Sequence, residues 1–212
     1  MIKVMISDPD LFAREGIKRM LENESDVQVA YEAQNVSETF ETLRKYQPDV
    51  CILEIEIGSQ QGLSFVRETK TRSPSTPILV MGHHHERDFA LRAIRAGAAG
   101  YLGKDCTDEQ LATAVRTTAD RRPYVSETVC EQLAENITMG SSSRPHESLS
   151  DSDFEIFCLM IQGLSTTKIA SIRQISSSLA RARRGKIMDK LHLRTDADLI
   201  GYAIENDLIE QT

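Results

Sequence analysis

The first 121 residues alternate short aliphatic runs with longer amphipathic ones, and this rhythm restricts the fold more than any other feature of the chain. Ile2–Ser7, Val27–Glu32, Val50–Glu54, Ile78–Met81 and Gly100–Leu102 have the length and β-branched or aliphatic character of strands. Leu11–Asn23, Ser37–Tyr46, Leu63–Thr71, Glu86–Ala96 and Thr107–Ala119 follow them at helix length. In the first of these, Phe12, Ile17, Met20 and Leu21 fall near one face and the charges on the other. Thr107, with Gln110 three residues on, reads as a capping box. Five such units in series predict an α/β domain: a parallel five-stranded sheet with helices on both faces. Its central strand is Val50-Cys51-Ile52-Leu53, four apolar residues in a row, as a strand covered on both faces requires. Glu54 ends that strand, at the carboxyl edge where open α/β sheets place their chemistry.

The rhythm stops near residue 122. Ser126–Ile137 has Val129, Leu133 and Ile137 on one stripe and reads as a single helix. Met139-Gly140-Ser141-Ser142-Ser143-Arg144-Pro145-His146 reads as a flexible linker. From residue 149 the pattern is all helical. Asp151–Gln162 carries Phe154, Phe157, Cys158 and Ile161 at helical spacing, and Gly163-Leu164-Ser165 ends it and caps a short helix, Thr166–Ile172. Ser176–Leu191 is longer and basic, and Asp196–Asn206 is a fourth helix. A short helix, a tight turn and a longer basic helix form the pattern of a helix-turn-helix. The expected organisation is therefore residues 1–121, a partly helical connection 122–148, and a four-helix unit 149–212.

Charge supports a nucleic-acid role for the second unit. The chain of 212 residues has a net charge of −7, which by itself argues against a polyanionic partner. From Leu164 to Thr195, however, eight Lys or Arg stand against Asp189 alone, a local balance of +7. An acidic body with one basic stripe is compatible with DNA. Taking Ala180, Ile187 and Leu191 as the buried side of the basic helix turns Ser178, Ala182, Gly185 and Asp189 outward, with Arg181 and Lys186 flanking them. Small residues at the centre of that face let a helix sit deep in a major groove about 12 Å wide. Arg181 is the candidate for reading a base edge, since arginine is the commonest specific partner of guanine. Lys186, Lys190 and Arg194 are placed to hold phosphates, as is the start of the short helix at Thr166, Thr167 and Lys168. Arg183 and Arg184 lie nearer the core side, where they snorkel to phosphate or brace the fold. Gly185 and Asp189 run against this reading, because glycine weakens a helix and aspartate repels phosphate.

Other features have ordinary readings. His83-His84-His85 looks like a metal cluster, but adjacent residues point in different directions and no cysteine or carboxylate beyond Glu86 lies at ligand spacing. A solvated, pH-sensitive loop is the simpler account. Cys51, Cys106, Cys130 and Cys158 are far apart with no CxxC, which points to a reducing cytoplasm and to small buried hydrophobes, with Cys106 and Cys130 the more exposed. Met1–Ile6 leads straight into a strand without a signal peptide, and no run of 18 apolar residues marks a membrane span. Cytoplasmic residence is expected, with no cofactor and no bound metal.

Two sets of residues together resemble a known family, the DNA-binding response regulators of the NarL/FixJ (LuxR-type) class. In the first half they are Ile6-Ser7-Asp8, Arg14-Glu15-Gly16, Pro48-Asp49-Val50, Gly62-Leu63, Ala93 through Leu102, and Lys104-Asp105. In the second they are Leu149-Ser150, Gln162 through Ser165, Lys168-Ile169-Ala170, Ile175-Ser176, Lys190-Leu191 and Asp198-Leu199. The resemblance implies a (βα)5 receiver joined to a four-helix LuxR-type DNA-binding domain. It also implies dimerisation through the first and last receiver helices, here including Phe12, Ile17, Met20, Leu111 and Val115, and pairing through the final helix. The implied partners are double-stranded promoter DNA, a second copy of the chain, and a sensor kinase or partner regulator.

The departures from that family fall at one site. Where the family carries a phosphoacceptor aspartate, this chain has Glu54. Where it carries two adjacent acids that help hold Mg²⁺, this chain has Asp8 and Pro9, with Asp10 one position late. Gly82 stands where a Ser or Thr follows the phosphate, and Gly58 replaces the usual proline. Tyr101 and Lys104 keep the switch aromatic and the lysine. Three readings are open at Glu54: an inert acid satisfied by Lys104, a partial mimic of phosphoaspartate, or a working acceptor. Its single negative charge falls short of a phosphate's roughly 1.5 to 2, so mimicry is partial. The expected function is a transcription regulator, not an enzyme, that binds promoter DNA as a dimer through residues 176–191 without phosphorylation. The alternatives are a phosphorelay-activated regulator using Glu54 or a neighbouring acid, and a protein-interaction module acting on a partner regulator.

Overall fold

The structure is a computed structural model that describes the chain outside residues 56–61, 83–85, 127–128, 131–143, 207 and 210–212, together with the side chains of residues 86–88. The chain divides into two compact units, the first built on Met1–Glu56 and Leu63–Leu133, the second holding the helices that follow Pro145.

The first unit is the expected parallel sheet. Strands β1 (Ile2–Ser7), β2 (Val27–Ala33), β3 (Val50–Glu54), β4 (Ile78–Gly82) and β5 (Gly100–Gly103) lie in the order β2-β1-β3-β4-β5. All four pairings are parallel. Every residue of β3 and of β4 is buried, which is why these strands read as continuous apolar runs. Helices α1 (Leu11–Leu21), α2 (Val36–Tyr46), α3 (Leu63–Arg72), α4 (Glu86–Arg95) and α5 (Asp108–Ala119) alternate with the strands. The Thr107–Gln110 capping box forms at the start of α5. Cys51 is buried in β3, where desolvation pushes its thiol up to about 12; Cys106 is half-buried and pushed to about 11.

One expectation about the surface is overturned. Ile17, Leu111 and Val115 are 5%, 0% and 0% exposed and belong to the core formed by α1, α5 and the sheet. Their apolar stripe is consumed in holding the helices to β1 and β3, so none is available to a second molecule. Met20 is half-buried against the same core, and Phe12 is 85% exposed.

The second unit consists of a 3₁₀ turn (Pro145–Ser148) and helices α6 (Asp151–Ile161), α7 (Thr166–Ile172), α8 (Ser177–Lys190) and α9 (Asp196–Glu205). Ser150, Ser165, Ser176 and Thr195 each accept a backbone N–H and cap the helix that follows. Helix α6 is the centre, with Phe154 and Phe157 fully buried. The His146 ring is fully buried against both phenylalanines and hydrogen-bonded at Nδ1 to the Tyr202 hydroxyl at 2.8 Å. Pro145 and His146 therefore belong to this folded unit and not to a linker. Most of the expected 126–137 helix, residues 139–143 of the linker, Gly58 and the histidine triplet lie outside the described residues. No described helix is long and apolar enough to cross a membrane.

Candidate functional site

The strand register brings one group of polar residues to a single edge of the sheet. Ser7 pairs with Leu53, Glu54 with Met81, and Gly82 with Gly103, so Asp8, Glu54, Gly82 and Lys104 meet where the strands end. Asp8 and Glu54 are 2% and 6% exposed. Burying two carboxylates is costly unless each has a partner, and Lys104 partners both. Its ammonium lies 3.0 Å from Asp8 Oδ2 and 3.1 Å from Glu54 Oε1. Burial works against the lysine's charge, but the hydrogen bond to Asp8 and the field of Glu54 outweigh it and hold its pKa above the ordinary value. The backbone N–H of Lys104 donates to the Gly82 carbonyl at 3.0 Å, which ties the lysine's position to the end of β4.

The loop after β1 is braced from within. Arg14, 3% exposed, donates through Nη1 to the Asp8 carbonyl at 2.8 Å and through Nε to Glu32 at 3.1 Å. Sequence reasoning placed Arg14 in a motif without giving it this role; a lone arginine on the apolar side of an amphipathic helix was the available signal. Asp10 does not enter the pocket as a carboxylate. Its backbone N–H donates to Asp8 Oδ1 at 2.8 Å, while its own Oδ1 accepts from Phe12 N and caps α1. Pro9 contributes neither a donor nor a carboxylate.

The far wall is Tyr101, fully buried on β5. A Cβ placed on Gly82 would stand 2.8 Å from its hydroxyl. The ring therefore occupies the space that a side chain at position 82 would claim. The donor set does not suit Mg²⁺, the cation the resemblance implies. One oxygen of Asp8 serves Asp10 N–H, the other serves Lys104, Glu54 serves Lys104, and Asp10 faces its own helix. Among the described residues no three His, Cys, Asp or Glu side chains converge to hold a metal.

The second candidate site is the exposed side of α8. Ala180, Ile187 and Met188 face the core, with Leu191 buried just beyond the helix. Ser178, Arg181, Ala182 and Gly185 lie on the exposed side, and the first three line a shallow hollow. The turn between α7 and α8 contains Gln174 at φ 51, the left-handed residue that lets the chain reverse so tightly. The basic residues divide in two. Arg183 donates to Ser152 at 2.7 Å and Asp153 at 3.1 Å, Lys186 lies 3.5 Å from Asp153, Arg184 pairs with Asp196, and Lys190 donates to the Ser148 carbonyl at 2.5 Å. Among the described residues no such partner meets the side chains of Lys168, Arg181 or Arg194, all three exposed. Thr167 is exposed and Thr166 half-buried at the start of α7. The bracing by Asp153 and Asp196 had no signal in the sequence, because the basic residues they meet lie 12 to 33 positions further along or back in the chain.

Comparison with known proteins follows this division. Residues 4–116 match the response regulator receiver domain. The oxygen regulatory protein NreC of Staphylococcus epidermidis is 28% identical over 217 residues, covering 99% of this chain and 100% of its own. RcsB from Salmonella enterica serovar Typhimurium, solved bound to promoter rprA in the presence of phosphomimetic BeF3−, superposes with a TM-score of 0.70 over 95% of this chain and 97% of its own. At 21% identity that is a likeness of fold. The response regulator ChrA of a heme-sensing two-component system has a TM-score of 0.53 at 26% identity, over 98% of each chain.

Proposed function

This chain belongs to the response regulator receiver domain family, and from that premise we propose that it is a promoter-binding transcription regulator whose receiver works without phosphorylation. We divide it into a receiver, residues 1–121, a connection, 122–144, and a LuxR-type helix-turn-helix domain that starts with the Pro145 turn and runs to residue 212. The observation that carries the proposal is the Asp8–Lys104–Glu54 bridge. Both carboxylates that would handle metal and phosphoryl group are held by one ammonium. Pro9 removes a carboxylate, Gly82 removes the hydroxyl, and Glu54 carries its carboxylate one methylene further than an aspartate. A misplacement of about 1 Å can cost roughly 100-fold in rate. Incubation with acetyl phosphate and Mg²⁺, followed by intact mass, is expected to leave the protein unmodified; a stoichiometric phosphoryl adduct would overturn the reading.

Output belongs to α8. Lying in the major groove, it presents Arg181 to a base edge, with Ser178 and Ala182 beside it. Lys168 with Thr166 and Thr167, together with Arg194, face phosphates. Arg183, Arg184, Lys186 and Lys190 act first as braces. That the relatives include RcsB solved on a promoter supports DNA as the target. A helix-turn-helix dimer binds half-sites about one helical turn apart, so an inverted repeat is expected. Pairing would use α9 and the exposed part of α1 around Phe12. Arg181→Ala is expected to weaken promoter binding by about 10- to 100-fold, the value of one bidentate base contact, with the circular dichroism spectrum unchanged. Equal binding by the variant, measured by fluorescence anisotropy, would displace α8 as the reading helix.

A further inference from the structure

The pocket at the sheet edge refuses phosphoryl chemistry, but it is not empty of electrostatic purpose. Two carboxylates buried to 2% and 6% exposure stand at the ends of β1 and β3. An acidic cluster of that kind ordinarily needs a cation, and burying it without one would destabilise the fold. The chain supplies its own: Lys104 Nζ sits 3.0 and 3.1 Å from one oxygen of each acid. The lysine is held in place twice, by its backbone bond to Gly82 O and by its position one residue past β5. Asp8 is held likewise, by Asp10 N–H on Oδ1 and Arg14 on its carbonyl. Two of the three members of the bridge, Lys104 and Asp8, are therefore held from outside it.

We propose that Lys104 is the resident counter-ion of this receiver, standing in place of a divalent metal, so that the pocket excludes Mg²⁺ and the fold does not depend on it. To enter, Mg²⁺ would have to displace an ammonium held by both acids, and that charge would stay close because the lysine backbone is tied to the end of β4. It would recover few ligands, since it demands near-octahedral oxygen geometry and dehydrates reluctantly. The inference rests on the phosphorylation-independent reading and extends it from the phosphoryl group to the metal.

The test is thermal unfolding of the full chain in EDTA and in millimolar MgCl₂. Wild type is expected to melt at the same temperature in both; a rise with Mg²⁺ would overturn the proposal. Lys104→Met is expected to lower the melting temperature by roughly 10 °C in EDTA, because it withdraws the shared ammonium from two buried carboxylates. A Lys104→Met variant as stable as wild type would also overturn it. The double variant Lys104→Met/Glu54→Gln should recover most of the loss by removing one of the two carboxylate charges that the ammonium balanced. Absence of recovery would mean the lysine acts through packing alone, and the counter-ion role would fall. If Lys104→Met does not fold, the double variant decides by itself, folding supporting the role and failure to fold rejecting it. A wild type stabilised by Mg²⁺ yet unmodified by acetyl phosphate would reject this inference and leave the proposed function standing. A phosphoryl adduct would remove the proposed function itself.

Discussion

Gly82 shows how one residue constrains its surroundings. Its missing side chain is filled by the Tyr101 hydroxyl, 2.8 Å from where a Cβ would stand. Restoring a β-branched hydroxyl should therefore not restore a phosphate reader; it should first collide with a buried ring. Gly82→Thr is expected to destabilise the receiver by about 1–3 kcal/mol, the usual cost of overpacking, measured by urea denaturation. An unchanged midpoint would show that Tyr101 has somewhere else to go. Glu54 was legible from strand position, and its pairing with Lys104 from the family resemblance. That Asp8 shares the same ammonium was not, because the spacing along the chain says nothing of which oxygen meets which nitrogen across two strands.

At the scale of an element, helix boundaries were the most legible part of the chain. Capping chemistry is local, so Thr107–Gln110 and Ser165 declared themselves in the sequence, while Ser176, read as the first residue of its helix, proves to be the cap. What α8 does with its charges was not legible, because Arg183, Arg184 and Lys186 find their acids on α6 and α9, at sequence distances no local pattern encodes. The same limit explains Ile17, Leu111 and Val115. Helical spacing identifies an apolar stripe but cannot tell a core face from an interface. Gly185 is a separate case. An added Cβ there meets nothing within 4 Å, so the fold has no need of glycine at that point. Gly185→Ala is expected to stabilise the second unit by about 1 kcal/mol through helix propensity. It should weaken promoter binding at the same time, since the methyl would stand on the face proposed to enter the groove. A more stable variant with undiminished binding would show that α8 does not approach DNA along that face.

For the whole chain, acid stability has an identifiable contributor in the first unit. Arg116 on α5 reaches Asp26 at 2.6 and 2.8 Å and pairs with Glu24, tying α5 to the loop after α1. The hydrogen bonds from Arg116 hold the Asp26 carboxyl below its ordinary 3.8, at about 2. A carboxyl depressed in the folded state stabilises the fold above its unfolded value, and that contribution fades as pH falls through the folded one. The loss should thus fall between about pH 4 and pH 2. Asp26→Asn should flatten melting temperature across that window, by a small amount because the pair is exposed; an identical acid limb would exclude the pair.

The internal pairing of the basic stripe has a thermodynamic consequence for the assembled regulator. Each phosphate neutralised by a protein cation releases condensed counterions, with a log–log salt slope of about −0.9 per contact. If only Lys168 and Arg194 meet phosphates while Arg181 reads a base edge, the slope per protomer is roughly −2, where all six phosphate candidates would give roughly −5. Affinity measured from low to physiological salt should decline along the shallower line. Promoter occupancy would then be buffered against swings in cellular ionic strength, and wrong sequences would be rejected by poor fit more than by weak charge.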